Sequence, residues 1–404
     1  MYKIKSTEIM KKLMGDYFLS LENSGKKIAW CTSVGPAELL RSFDFEVFFP
    51  ENHGALLGAT RTAMDFIPEA IKCGYSGHVC SYTTADIGSY LKKESPLKAH
   101  YGLKGQPVPQ LIAYNTNQCR EVEDWFTFFG NEFNVPVVGI HPPRHMDDVT
   151  NDEVELVVKQ FQKLIPVCEK VSGQKFDIDK YKEVLKLSKE ATLLWQKVLK
   201  TSTAANAPLS FFDGTIHMGP IVVLRGTQAA KDYYQTLLTE LESNLKNNIG
   251  FLPQAKSRIF WEGMPIWGKL RMLSDLFTSN GAAVVASTYC SSWVFDRFDE
   301  NDPWNSAARA YTEIFINRSE KAKMKMLADW FKEYKIDGIV YHDTKTCFNN
   351  SNAKFGMPNR LKEMTGVPYL VIEGDLCDLR FFSEGQSITK IETFLEQLED
   401  VKTT

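Results

Sequence analysis

A chain of 404 residues is too long for one ordinary domain and suits two or three of about 100–200 residues each. Hydrophobic residues make up 44% and charged residues 24%, a normal soluble mixture that can bury a sizeable core. The formal net charge of −3, with the basic residues scattered, gives no electrostatic footprint for nucleic acid or for a membrane surface.

The opening MYKIKSTEIMKKLMGDYFLS is polar and amphipathic, without the apolar centre of a signal peptide. No stretch approaches the ~20 apolar residues of a membrane span, so a cytoplasmic protein is expected. KKIAWCTS reads as a strand ending near Ser33, and GPAELLRSF starts a helix. FEVFFP is a second strand, followed by a helix from Leu57 to Cys73. PQLIAYN is a third strand, CREVEDWFTFFGNEF a helix and PVVGIH a fourth strand. Strands separated by helices in this rhythm indicate a parallel sheet covered on both faces.

The pattern changes near Asn151. NDEVELVVKQFQKLIPVCEKVSG, DIDKYKEVLKLSKEATLLWQKVLK and TQAAKDYYQTLLTELESNLKN carry apolar residues at helical spacing with no strands between them. Asn206 to Gly226 reads as an irregular interval. Alternation then resumes: SRIFWEG, AAVVAST, DGIVYHD and PYLVIEGD are strands. Helices are expected at WGKLRMLSDLFTSNG, with a glycine cap, from Ser319 to Lys335, from about Lys354 to Met364, and at SITKIETFLEQLED. The fold class is therefore α/β. Two doubly wound parallel-sheet domains of the flavodoxin or Rossmann kind, residues 1–150 and 256–404, flank a mainly helical segment, residues 151–255.

In open parallel sheets, ligands gather beyond the carboxyl ends of the strands, where the connecting loops converge. That rule sorts the eight cysteines. Cys31, Cys119 and Cys347 follow strands, and Cys80 lies in a loop before a helix. Cys73 and Cys168 fall on helices and read as core or surface thiols. Cys377 follows a strand too, as a weaker candidate, and Cys290 stays open. None lie in a CxxC pair, which excludes local zinc-ribbon and ferredoxin motifs. Loops from two domains could still bring several thiolates to one metal cluster, while buried small hydrophobes are the alternative. There is no GxGxxG after the first strand, no GxxxxGK[ST], no GxSxG and no HExxH. His342 and Asp343 near Cys347 leave a Cys/His nucleophile as a further reading.

Four motifs in this order, AWCTSVGPAELLRSFDFEVFFPEN (residues 29–52), CSYTTADIG (80–88), NTNQCREVEDWF and KTCFNN (345–350), carry a family likeness. With GPIVVLRGT, WEGMPIW, GAAVVAST and VIEGDLCDLRFF, the chain resembles the 2-hydroxyacyl-CoA dehydratase and benzoyl-CoA reductase family from about Lys27 to Glu399. The resemblance implies that Cys80, Cys119 and Cys347 each bind one iron of a [4Fe–4S] cluster, leaving the fourth iron open. It also implies that Ser33 stands near that iron and that Glu51 is a nearby acid able to handle a proton. Ser33 could instead cap the helix beginning near Pro36, and Glu51 could be a solvated loop acid.

The implied reaction is loss of water from an (R)-2-hydroxyacyl-CoA through a ketyl radical, giving an enoyl-CoA. It would need a homologous second subunit in a heterodimer and a separate ATP-dependent iron–sulfur activator. Three alternatives remain: an aromatic acyl-CoA reductase of the benzoyl-CoA type, a non-catalytic scaffold, and a double-cubane protein using Cys31 and Cys377. Where relatives carry an Asp-Pro-Arg run near the C-terminus, this chain has Leu379 for the proline, which bears on local loop shape and on no cluster ligand.

Overall fold

Apolar runs that are buried along their whole length, such as IAWC and AAVVAS, suit strands covered by helices on both faces. Such strands form two sheets in the computed structural model, which describes residues 3–103 and 105–403. The first contains β1 (Ile28–Cys31), β2 (Glu46–Phe48), β3 (Leu111–Asn115) and β4 (Val137–Ile140), in the order β2-β1-β3-β4. The second contains β5 (Ser257–Glu262), β6 (Ala282–Ser287), β7 (Gly338–Thr344) and β8 (Tyr369–Gly374), in the order β6-β5-β7-β8. All pairings are parallel, with Cys31 opposite Ala113 and Glu262 opposite Tyr341. Each sheet reverses its winding after two strands. The loops leaving β1 and β3, and those leaving β5 and β7, therefore part in opposite directions and open a crevice. The expected α/β class with two doubly wound sheets is what is observed.

Between the sheets run the helices Asn151–Ser172, Ile178–Lys200 and Gln228–Lys246. Local chemistry starts them. Thr150 and Glu153 form a reciprocal capping box, and Asp177 accepts from the N–H groups of Asp179 and Lys180. The Ile178–Lys200 helix packs on Gln228–Lys246 and on Ala37–Ser42. One continuous apolar cluster joins both sheets and these helices, and a smaller one fills the far side of the second sheet.

Two expected stretches differ. Leu57 to Cys73 is not one helix: Pro50–Ala59 and Ala63–Lys72 are separated by a turn in which Arg61 adopts φ 63°. The Thr60 hydroxyl bonds to Leu56 O at 2.8 Å, and Arg61 Nε reaches Gly268 O at 3.1 Å, which holds the turn. Asn206 to Gly226 is not irregular throughout. It contains Phe211–His217, opened by a Ser210–Asp213 capping box, and Gly219–Val223. Two further helices start late: Leu270–Ser279 follows a 3₁₀ turn, and Met357–Thr365 follows two.

Close approach sets two helix positions. A Cβ on Gly88 would lie 2.0 Å from Phe66 O, so Ser81–Lys92 can lie against Ala63–Lys72 only with glycine there. A Cβ on Gly58 would lie 2.6 Å from Cys377 Sγ and 3.0 Å from Trp267 Cβ. The helix carrying Glu51 is thereby drawn against the second sheet's loops.

Candidate functional site

Loops at the crevices of both sheets enclose a cavity of about 710 Å³, and Ser33, Glu51, Cys80, Cys119 and Cys347 all line it. Ser33 follows β1, and Glu51 lies in the first turn of Pro50–Ala59. Cys80 is the N-cap of Ser81–Lys92. Cys119 stands two residues before Glu121–Phe133, and Cys347 follows β7. All five residues singled out from the sequence are thus brought to one place.

The three half-buried thiols share a local geometry. The backbone N–H of Thr83 lies near enough to the sulfur of Cys80 to favour its anion, as do those of Val122 for Cys119 and Asn350 for Cys347. In each case the donor lies three residues downstream, the spacing of a tight turn or first helical turn. Such donors favour an anionic sulfur. Burial outweighs them: it pushes the Cys119 and Cys347 thiols up to about 12, and the Cys80 thiol well above its ordinary value. The charges of Cys347 and Cys119 raise Cys80 further, which places the sulfurs within electrostatic reach of one another. Left alone the thiols stay protonated, and a metal would take the protons' place. No group of three or more His, Cys, Asp or Glu among the described residues is arranged to hold a metal ion. Three thiols lining one cavity, each near such an N–H, could hold a group with several metal corners, because its ligands stand farther apart than those of one ion.

Three ties join the three cysteine loops pairwise, and sequence reasoning missed all of them. The Glu121 carboxylate lies near the N–H of Cys80, which favours its anion, and so brings the Cys119 and Cys80 loops together. Arg144 Nη2 donates to Gln118 O at 3.3 Å and to Asn349 Oδ1 at 2.9 Å, linking the Cys119 and Cys347 loops. Asp375, fully buried just beyond β8, links the Cys80 and Cys347 loops. Its Oδ1 accepts from the Ser81 hydroxyl and from the N–H groups of Cys377 (3.2 Å) and Asp378 (3.1 Å). Its Oδ2 accepts from Thr346 N at 2.8 Å and Thr346 Oγ1 at 2.7 Å. The strand-end rule that sorted the cysteines points to Asp375 as well.

Glu51 is neither a solvated loop acid nor left to itself. Its Oε1 accepts from Ser33 N at 3.0 Å and from Gln118 Nε2 at 2.6 Å, while Oε2 is sealed from solvent without a partner. Burial raises its pKa to about 7, against the lowering effect of those donors and the Ser33 side chain. Ser33 caps no helix: Pro36 holds the N-cap position of Ala37–Ser42, with no side-chain cap.

Other candidates fall away from the cavity. Cys31, Cys290 and Cys377 are buried and do not line it, and Cys377 Sγ lies 3.3 Å from Gly54 O. His342 is also buried off the cavity with Nδ1 2.6 Å from Met264 O, and Asp343 pairs with Lys354, so neither serves a Cys347 nucleophile.

The family model for 2-hydroxyglutaryl-CoA dehydratase, D-component, matches residues 32–398. The chain belongs to this family. Its similarity to individual proteins is also near full length. It is 30% identical to the (R)-2-hydroxyisocaproyl-CoA dehydratase alpha subunit of Clostridioides difficile, over 94% of this chain and 92% of that protein. It is 29% identical to the alpha subunit of lactoyl-CoA dehydratase from Anaerotignum propionicum, over 93% and 91%. Similarity extends to a benzoyl-CoA reductase subunit of Thauera aromatica, at 30% over 98% and 95%. The D-component match takes in all five site residues and the three ties between their loops. It leaves out the first helix, Ser6–Asn23.

Proposed function

We propose that this D-component protein is the iron–sulfur subunit of a radical 2-hydroxyacyl-CoA dehydratase. It would remove water from an (R)-2-hydroxyacyl-CoA after one-electron activation and give an enoyl-CoA. Family membership supports the coarser statement, an acyl-CoA dehydratase component and so a lyase. The observation that carries the finer one is three thiols lining one cavity, each near a backbone N–H that favours its anion, with a carboxyl group poised near neutrality in the same cavity.

Cys80, Cys119 and Cys347 would hold three corners of a [4Fe–4S] cluster. When bound, the cluster supplies a low-potential electron and one iron corner without a protein ligand. The chain's own residues do the rest. Ser33 and Gln118 hold Glu51 Oε1, and the Glu51 carboxyl group would take up or release a proton as substrate is deprotonated. Phe18, Phe212 and Trp293 among the cavity walls exclude water from a reactive species. A homologous second subunit agrees with the relatives being alpha subunits. A separate ATP-dependent activator agrees with the missing phosphate-binding motif in this sequence.

Protein purified without oxygen should be brown, with about four irons per chain, and Cys80→Ala, Cys119→Ala and Cys347→Ala should each lose iron. Colourless, iron-free protein would overturn the proposal. The likeness to the benzoyl-CoA reductase chain supports a second reading, transfer of electrons to an aromatic ring. With activator and ATP supplied, a dehydratase consumes reductant only for priming, whereas a reductase consumes it in proportion to product.

A further inference from the structure

The cavity extends beyond the thiols and Glu51, and the wall of that extension is apolar. The first helix contributes Met10, Met14 and Phe18, spaced four residues apart on one face and 7%, 8% and 2% exposed. Phe212 and Val222 from the two short helices, and Met218 between them, line the same space. The wall is fitted rather than loose. Phe18 stacks on Tyr101 with ring centroids 4.3 Å apart, and a Cβ on Gly219 would come within 3.2 Å of Met14 Sδ.

The charges on the cavity wall are distributed unequally. The acids are Glu51, Glu121, Asp213 and Asp275; the bases are Arg61 and Arg271. Asp213 is tied to Ser210 Oγ at 2.6 Å, and Glu121 lies near the N–H of Cys80. Both arginines are exposed and belong to the lip near Gly268, where Arg61 Nε meets Gly268 O and the Arg271 side chain is 95% exposed. Among the described residues, no cation within the cavity waits for an acyl group that ends in a carboxylate. Such a group would be buried without a partner and beside like charge, which costs far more than a methylene gains.

We infer that the acyl site of this protein takes an uncharged, apolar acyl group, branched or aryl-tipped, and rejects a dicarboxylic one, with Met10, Met14 and Phe18 as specificity-determining residues. The inference rests on the acyl-CoA reading above and adds the acyl class. Two methionines let the wall adapt to a branched or a planar tip, since the thioether chain has several low-energy shapes. The lip arginines suit the phosphates of the CoA moiety.

The test is binding, without turnover, by titration calorimetry of the full chain purified anaerobically. The probes lack a 2-hydroxyl and cannot react: 4-methylpentanoyl-CoA, 3-phenylpropanoyl-CoA, glutaryl-CoA and free CoA. The first two should bind about tenfold or more tighter than glutaryl-CoA. Met14→Ala should weaken 4-methylpentanoyl-CoA by about three- to tenfold and leave free CoA unchanged. Met14→Arg should move the preference toward glutaryl-CoA. The wild-type ranking decides the matter where a variant fails to fold. Glutaryl-CoA binding as tightly as 4-methylpentanoyl-CoA overturns the inference and leaves the acyl-CoA reading standing. Thioesters that bind no tighter than free CoA overturn both, and the iron content of the same preparation reports separately on the cluster.

Discussion

A buried carboxylate with five donors aimed at it tolerates no change of charge or acceptor count, and Asp375 is in that position. Asp375→Asn would set an NH₂ against N–H and O–H donors, in the joint that holds the Cys80 loop to the Cys347 loop. Expected are a loss of about 1–3 kcal/mol in urea unfolding and a fall in bound iron larger than that loss explains. Unchanged iron content would show that the joint is structural only. Glu51 gives a pH signature. Its folded pKa of about 7 lies above the ordinary 4.5 because burial disfavours the charged form. Its contribution to stability is therefore full below pH 4.5 and fades as pH rises through 7. Glu262, raised to about 7 by the same cause, adds to the trend. In metal-free protein, Glu51→Gln should flatten the fall in unfolding free energy between pH 5 and 8 by about 1–3 kcal/mol. If Glu51 serves as the base, turnover should rise with pH through about 7, and the variant should lose about 10²- to 10⁴-fold of the rate.

At the scale of elements, the sequence was legible where a pattern repeats over a whole strand or a long helix. All eight strands are short apolar-rich runs that announce themselves, although β4 and β8 are only partly buried, and the three long helices of the middle segment carry both period and cap. The break at Arg61 was not legible, because it depends on a carbonyl more than two hundred residues away, at Gly268. Phe211–His217 and Gly219–Val223 have seven and five residues, too few to establish a period. The site divides in the same way. Ser33, Cys119 and Cys347 follow strands and obey the crevice rule, whereas Cys80 begins a helix in the long connection from β2 to β3. Family likeness singled it out from the other thiols. Glu121 and Arg144 act across space and leave no local mark, whereas Asp375 stands just beyond β8, where the crevice rule could have found it. The Cys80 helix is itself held by one missing side chain. A Cβ at Gly88 meets a backbone oxygen, which cannot swing aside, so Gly88→Ala must push Ser81–Lys92 off Ala63–Lys72. The expected cost is about 1–3 kcal/mol in thermal or urea unfolding, with weaker iron retention because Cys80 caps the displaced helix.

The whole molecule is joined beneath the site by a buried ion pair that draws on every part of the chain. Arg225 Nε lies 3.1 Å from Glu38 Oε1, and both side chains are 1% exposed. Tyr311 donates to the other carboxylate oxygen, and Ser188 Oγ donates to Oε1 at 2.7 Å. Arg225 also donates to Gly35 O at 2.9 Å, two residues from Ser33, and to Val222 O at 2.8 Å in the acyl wall. Ser188 lies on a long helix of the middle segment, Glu38 beside the first sheet, and Tyr311 on the Pro303–Thr312 helix between β6 and β7. A pair of this kind adds little net stability over an apolar replacement, but removing one partner strands the other charge in a dry interior. Arg225→Met should therefore destabilise by about 3–5 kcal/mol. Adding Glu38→Gln should recover part of that loss, and the non-additivity in urea unfolding measures the coupling. Because the pair draws on all three stretches, the single variant should lower one shared transition. Two transitions, with only one displaced, would mean that the sheets unfold independently and that the crevice between them depends on ties such as Asp375 alone.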